Sequence, residues 1–356
     1  MSEKGGSSTY GICRRPSRFH RNGRGCHPAS PPSPRNPIAM NPIAMNPTAM
    51  NPIAMTTPSP VAAGTDADAY TRRWLASGEI AHTTLRDGTR IRYVRVGQGP
   101  ALVLTHTVRT QLDLFQRVIP LLSPHFTIYA LDLPGFGWSD LKPGLPKDEP
   151  TLRAALKGFI AELGIARPIL AGESIGATLS LSLAAELGDR VERVFAFNTY
   201  DYRPGLERSN LLASIIIKSV RAPVVGPVFA ALENRTITGG IMSGGFHDPS
   251  SLPADLLDEY ARVGARAGYS TASRTLLKAL PSFVAARARY RSITAPVTLV
   301  WGDKDWSTPR DRAGVEAAVP SPSVVTLERT GHFSALERPQ AWADIILAAT
   351  KARAAS

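Results

Sequence analysis

Ser174 stands between two glycines in the stretch Gly172-Glu173-Ser174-Ile175-Gly176. A serine hydroxyl attacks a carbonyl carbon only when a base takes its proton. That base in turn needs a carboxylate to fix its tautomer and to stabilise its charged form. Two later stretches hold the required types: Asp303 and Asp305 in WGDKDWSTP (301–309), and His332 in GHFSALERP (331–339). Along the chain the order is serine, acid, histidine, and the chemistry such a set performs is acyl transfer.

The elements around Ser174 explain its spacing. PILAGE (168–173) reads as a buried strand, and GATLSLSLAAEL (176–187) has helical spacing with small residues that allow close packing on a sheet. A serine at so sharp a strand-to-helix turn is held in a strained backbone, where a side chain two residues before or after it would collide. Glycine at both flanks removes the collision. The turn also sets the hydroxyl at a helix N-terminus, where backbone N–H groups favour developing negative charge.

The rest of the chain must build the sheet that carries this turn. GEIAHTTL and RIRYVRVG flank Asp87 and Gly88 and read as an antiparallel hairpin. ALVLTH, FTIYALDL, PILAGE, VERVFAFN, PVTLVW and SVVTLE are short, apolar and rich in β-branched residues, as strands covered on both faces are. Amphipathic runs such as LDLFQRVIPLL and TLRAALKGFIAELG lie between them. Alternating strand and helix imply right-handed crossovers and a mainly parallel sheet. Residues 199–295 break the alternation with helical and irregular composition. The expectation is a helical cap over the carboxyl edge of the sheet, where open α/β sheets bind ligands. The apolar run Leu211 to Leu232 would line an apolar substrate pocket, since Lys218, Arg221, Pro223 and Pro227 break any membrane-spanning helix.

An apolar content of 43% with 20% charged residues fits one ordinary domain plus an extra segment. The extra is residues 1–65, where 36–55 are four pentapeptides, NPIAM, NPIAM, NPTAM and NPIAM. Proline every fifth residue forbids helix and central strand alike, so an extended, disordered tail is expected. Seven basic residues against Glu3 place half of the net charge of +12 in that tail. The rest is spread through the fold with no aromatic-interleaved basic stripe, which argues against specific nucleic-acid binding. Either the tail has weak, salt-sensitive affinity for polyanions, or translation begins at Met50 or Met55. Both cysteines, Cys13 and Cys26, lie in the tail, so the folded part has no thiol for a metal site or a nucleophile. This fits a reducing compartment such as the cytoplasm. Arg14 and Arg15 are followed by no apolar run, so an export signal is unsupported.

From about residue 78 to 350 the chain resembles the α/β-hydrolase superfamily. GESIG resembles its nucleophile elbow, WGDKDWSTP its G-x-x-D-x-x-x-P acid loop, GHFSALERP its histidine loop and LDLPGFGWSD its D-x-P-G-x-G-x-S segment. The resemblance implies an α/β-hydrolase fold, a mostly parallel central sheet flanked by helices, with a helical cap inserted after the sixth strand. The boundaries would be 1–65 tail, 66–202 first part of the core, 203–288 cap and 289–356 second part of the core. It also implies Ser174 as nucleophile, His332 as general base and then acid, and Asp305 as its orienting carboxylate. Asp303 would shape the loop, and Asp201 in NTYDY stands where some members carry the acid. His106 ends a strand with a structural role, and His20, His27, His82, His125 and His247 belong to surface, tail or packing.

Where the family has His-Gly, this chain has His106-Thr107. Glycine there lets the next N–H point at the oxyanion, whereas β-branched Thr107 resists positive φ, so the loop is expected to take a different path. The oxyanion donors would be the N–H groups of Val108 and Ile175, with the Thr107 hydroxyl a further candidate. Arg109 would either pair with a substrate carboxylate or anchor the loop through Asp113 or a cap acid. Glu173 would face the same pocket or be satisfied by the adjoining strand. The expected activity is cofactor-independent, metal-free ester hydrolysis of a small molecule through an acyl-enzyme. Carbon–carbon bond hydrolysis of a keto acid, cofactor-free oxygen or perhydrolysis chemistry, and non-catalytic ligand binding are the alternatives. Dehalogenation and epoxide opening are disfavoured, since family members that do these have aspartate in place of Ser174.

Overall fold

The computed structural model describes residues 66–232 and 234–354. The tail, with its repeats and both cysteines, lies outside the described residues.

Eight strands form one sheet: β1 Glu79–Thr84, β2 Arg90–Val96, β3 Ala101–Thr105, β4 Thr127–Leu131, β5 Ile169–Glu173, β6 Arg193–Phe197, β7 Val297–Gly302 and β8 Ser323–Leu327, in the order β1-β2-β4-β3-β5-β6-β7-β8. β1 and β2 form the antiparallel hairpin, turning at Asp87 and Gly88, and β2 pairs antiparallel with β4. Every other pairing is parallel. β5 and β7 are buried along their whole length, as their continuous apolar runs require. The register sets Thr105 against Gly172, Glu173 against Phe197 and Gly302 against Leu327. The residues that follow β3, β5, β6, β7 and β8 therefore emerge along one edge.

Between β4 and β5 the helix Glu149–Glu162 begins at Asp148, whose side chain accepts from Thr151 N–H. LDLFQRVIPLL does not form the single helix its spacing predicts. It gives a short 3₁₀ turn, Leu112–Phe115, and a separate turn, Ile119–Leu122. Pro120 is the cause, since its ring would clash with the carbonyl four residues earlier, whereas it fits at the start of a new turn.

Among the described residues, five α-helices occupy the segment between β6 and β7: Leu211–Arg221, Gly226–Ala231, Arg235–Ser243, Ala254–Gly264 and Tyr269–Ala286. They meet the loops at the carboxyl edge of the sheet. Glu259 Oε1 accepts from Gln111 at 3.2 Å and Trp138 at 2.8 Å, Gly244 O accepts from Trp306 at 3.1 Å, and Phe246 stacks on Phe333. The apolar run 211–232 turns only part of itself inward: Ala213, Ile217, Val220 and Ala230 are buried, but Leu211, Ile215, Val224 and Val228 are exposed. No helix among the described residues is long and apolar enough to cross a membrane.

Candidate active site

Ser174 has φ 62° and ψ −120° where β5 turns into the helix Ile175–Leu187. A non-glycine residue in such a region costs about 1–3 kcal/mol and persists only where its surroundings fix it. Here Ser174 N–H donates to Phe197 O at 2.9 Å, and Ser174 O accepts from Thr178 N at 3.1 Å and Tyr200 N at 3.3 Å. The flanking glycines are required by contact. A Cβ on Gly172 would lie 2.4 Å from the Gly176 carbonyl, and one on Gly176 would lie 2.0 Å from Thr105 O.

His332 is held by its backbone. Its N–H donates to Gly245 O at 2.6 Å, and Asn198 Nδ2 donates to the carbonyls of Gly331 and His332, both at 3.1 Å. Asn198 Oδ1 accepts from Gly302 N–H at 2.8 Å, so one side chain at the end of β6 ties the end of β7 to the histidine loop. Trp306 stacks on the imidazole with ring centroids 3.8 Å apart.

His332 Nδ1 lies 2.5 Å from Asp305 Oδ1. The other oxygen, Oδ2, accepts from Ser307 N–H at 2.9 Å, from the Ser307 hydroxyl and from Tyr202 OH at 3.4 Å. Burial by itself would raise the Asp305 pKa, but the adjacent His332 and these hydrogen bonds outweigh it and hold the carboxyl below its ordinary value. An ionised Asp305 makes Nδ1 the protonated nitrogen and leaves Nε2 as the acceptor. Among the described residues neither Nε2 nor the buried Ser174 Oγ has a hydrogen-bond partner.

The loop after β3 does take a different path. Thr110 N–H and the Thr110 hydroxyl both donate to Thr107 O, and the left-handed residue in this turn is Arg109, φ 62°. That is the third position of a turn, where a type II geometry requires positive φ. Thr107 itself escapes the strain, and its buried Oγ1 has no partner among the described residues. The N–H groups of Val108 and Ile175 are likewise not donated to any described residue. Arg109 is buried in the same turn. Asp113 is engaged by Thr71, Trp74, Gln111 and Arg92. His106 accepts from Leu133 N–H through Nε2 at 2.9 Å, so Nδ1 carries the proton and donates to Thr107 O at 2.7 Å. Burial pushes its pKa down, and it is a neutral fastener of two loops.

Glu173 is not satisfied by the adjoining strand. Its Oε1 accepts from the Ser334 hydroxyl at 2.5 Å and Ala335 N–H at 3.1 Å, two and three residues beyond His332. Oε2 is buried and has no partner among the described residues. Burial pushes its pKa up to about 8, which favours the neutral acid at neutral pH.

The competing carboxylates face elsewhere. Asp201 lies against Thr199 at 3.1 Å and Arg287 at 3.4 Å. Asp303 accepts from Thr330 N–H and joins the acid loop to the histidine loop. His82 sits in edge strand β1, and His125 and His247 are exposed. A cleft of about 500 Å³ lined by Leu85, Pro134, Leu145 and Ala155 includes none of these groups. The described residues contain no His, Cys, Asp and Glu cluster of metal-binding arrangement.

Sequence reasoning did not single out Asn198, Tyr202, Trp306 or Ser307. Asn198 carried one signal: a polar residue of the type most tolerant of positive φ closing an apolar strand, and its φ is 47°. Ser307 follows Asp305 at the spacing of a side-chain-to-backbone turn.

Residues 102–345 match the family described as the alpha/beta hydrolase family. The chain is 26% identical to the uncharacterized hydrolase YugF of Bacillus subtilis, over 71% of this chain and 92% of that protein. It is 28% identical to haloalkane dehalogenase 2 of Mycobacterium tuberculosis, over 72% and 90% of the two chains. Among solved structures, Cfl2 from Burkholderia cenocepacia superposes with a TM-score of 0.66 at 26% identity, over 75% of this chain and 94% of that one. The haloalkane dehalogenase DbeA from Bradyrhizobium elkani reaches 0.68 at 22% identity, over 79% and 100%, a likeness of fold.

Proposed function

The chain belongs to the alpha/beta hydrolase family, and from that membership we propose that it is a serine hydrolase cleaving an ester-like carbonyl substrate through an acyl-enzyme. One observation carries this reading. Asp305 holds His332 by Nδ1, while His332 Nε2 and Ser174 Oγ, both buried, have no partner among the described residues.

In the mechanism, Ser174 Oγ attacks the carbonyl carbon as its proton passes to His332 Nε2, and Asp305 stabilises the imidazolium that forms. The tetrahedral oxyanion rests on the N–H groups of Val108 and Ile175, the latter at the start of its helix. His332 then gives its proton to the departing alcohol. Water attacks the acyl-enzyme with His332 as base, releasing the acid and restoring Ser174. The helices of 203–288 act as a cap that bounds the substrate. The same chemistry separates this chain from its dehalogenase relative. A serine oxygen that displaced halide from carbon would be left as an ether, which water and a histidine base do not cleave.

A second reading, carbon–carbon bond hydrolysis of a small keto acid, is favoured by Arg109 alone, which is buried directly after Val108. Hydrolysis of p-nitrophenyl acetate and butyrate by the full chain, Ser174→Ala and Arg109→Ala decides. Turnover lost in Ser174→Ala and kept in Arg109→Ala supports the esterase. Labelling of Ser174 by a fluorophosphonate without ester turnover supports the keto-acid reading. No labelling sinks both in favour of a ligand-binding protein.

A further inference from the structure

Of the large apolar side chains exposed among the described residues, all but Val324 lie between Leu211 and Leu232. Helix Leu211–Arg221 is apolar on two sides. Ala213, Ile217 and Val220 pack inward, while Leu211, 78% exposed, and Ile215 face out. The turn and helix that follow add Val224, 87% exposed, with Val228, Phe229 and Leu232. An apolar face of this extent on a folded chain marks a surface that something covers.

Charge decides what covers it. Residues 211–232 contain no acid; the first, Glu233, follows them. Lys218 is exposed and lies on the same helical stripe as Leu211 and Ile215, seven and three residues before it. Among the described residues no carboxylate pairs with it, whereas Arg221 is paired with Glu207. A second copy of this chain, or any apolar protein face, would have to desolvate the Lys218 ammonium with no acid from this patch to match it. A phospholipid surface imposes no such cost: the lysine stem lies along the apolar side chains while the ammonium reaches the phosphates. The net charge of +12 favours the same partner at long range.

We propose that the outward face of residues 211–232 docks on an anionic phospholipid surface, inserting Val224, Val228, Phe229 and Leu232 at the headgroup level without crossing the membrane. This inference is independent of the reaction proposed above.

The test is co-sedimentation of the full chain with phosphatidylcholine vesicles, with and without phosphatidylglycerol, at low and high salt. It compares wild type, Val228→Ser/Phe229→Ser and Lys218→Glu, with thermal melts to show that each variant is folded. The expected result is binding to the phosphatidylglycerol vesicles, weakened about tenfold or more by the double substitution and several-fold by Lys218→Glu. Any attraction of the basic residues 1–65 to anionic vesicles is untouched by the double substitution. Equal partitioning of wild type and double variant, or no vesicle binding by wild type, overturns the proposal. So does a dimer seen by light scattering that the double substitution splits, since a second copy would then be the occupant.

Discussion

Trp306 lies flat on His332, its ring centroid 3.8 Å from the imidazole centroid and the planes 16° apart. The indole N–H is fixed to Gly244 O at 3.1 Å, so the plate that confines the imidazole is itself anchored to the helical segment. Trp306→Ala removes the plate and leaves the Asp305 hydrogen bond as the main restraint on the ring. The expected loss in kcat is about 10–100-fold with KM changed less, because the error is one of base position. Trp306→Phe keeps a stacking ring and should recover most of the rate. Steady-state kinetics on an activated ester check both, and a Phe variant as slow as the Ala variant would show that the stack does not position His332.

The acid is assigned by asking which carboxylate the imidazole loses. Asp305→Asn should lower kcat by about 10³–10⁴-fold, because a neutral amide no longer stabilises the imidazolium and permits the wrong tautomer. Asp201→Asn should leave kcat within a few-fold and lower stability instead, since Asp201 faces Arg287 and Thr199. Kinetics and thermal melts of the two variants side by side decide. The reverse pattern would transfer the role to Asp201.

The parts legible in the sequence are those set by local backbone and pattern. The strands were visible as apolar runs between turn residues or as a hairpin, but β8 is not covered on both faces as its composition suggested: it is the edge of the sheet, paired only with β7, and Val324 on it is exposed. The glycine pair around Ser174 was legible because its cause is steric and lies within five residues. Asn198 and Trp306 were not, because their roles exist only across the fold: Asn198 bridges residues more than a hundred positions away. The path of the loop after His106 was half legible. Thr107 signalled that positive φ had to move, and nothing in the sequence said that Arg109 would take it. The outward turn of Val224 and Val228 was illegible for a plain reason: apolar composition does not say which face is covered.

Gly176 packs against the end of β3 so closely that the site and the fold fail together there. A methyl group would sit 2.0 Å from Thr105 O and 2.6 Å from His106 O, both rigid backbone atoms. Gly176→Ala should therefore cost more than about 4 kcal/mol, or leave the chain insoluble. By contrast, a Cβ on Gly264 meets nothing within 4 Å, and Gly264→Ala, at the last residue of helix Ala254–Gly264, should be neutral or stabilising by up to about 1 kcal/mol. Chemical denaturation of the pair separates a steric requirement from a general sensitivity to added methyl groups.

Glu173 couples β5, which leads into Ser174, to the loop that holds His332, and its raised pKa favours the neutral acid. Its pKa is raised from an unfolded value near 4.5 to about 8 by burial, so between those values the folded chain binds a proton that the unfolded chain has lost. Stability from this group is therefore fully present below about pH 4.5 and is lost as pH rises to about 8, at up to about 1.4 kcal/mol per pH unit. Asp113, raised to about 6 by burial, acts in the same direction over a lower range. Comparison with Glu173→Gln isolates the glutamate, since the amide can still accept from Ser334 and Ala335 but does not titrate. Wild type and variant should have similar denaturation midpoints at pH 5, and the variant should become progressively the more stable through pH 8. Parallel curves across that range would mean that Glu173 is ionised in the folded chain, and that a cation absent from its surroundings here must accompany it.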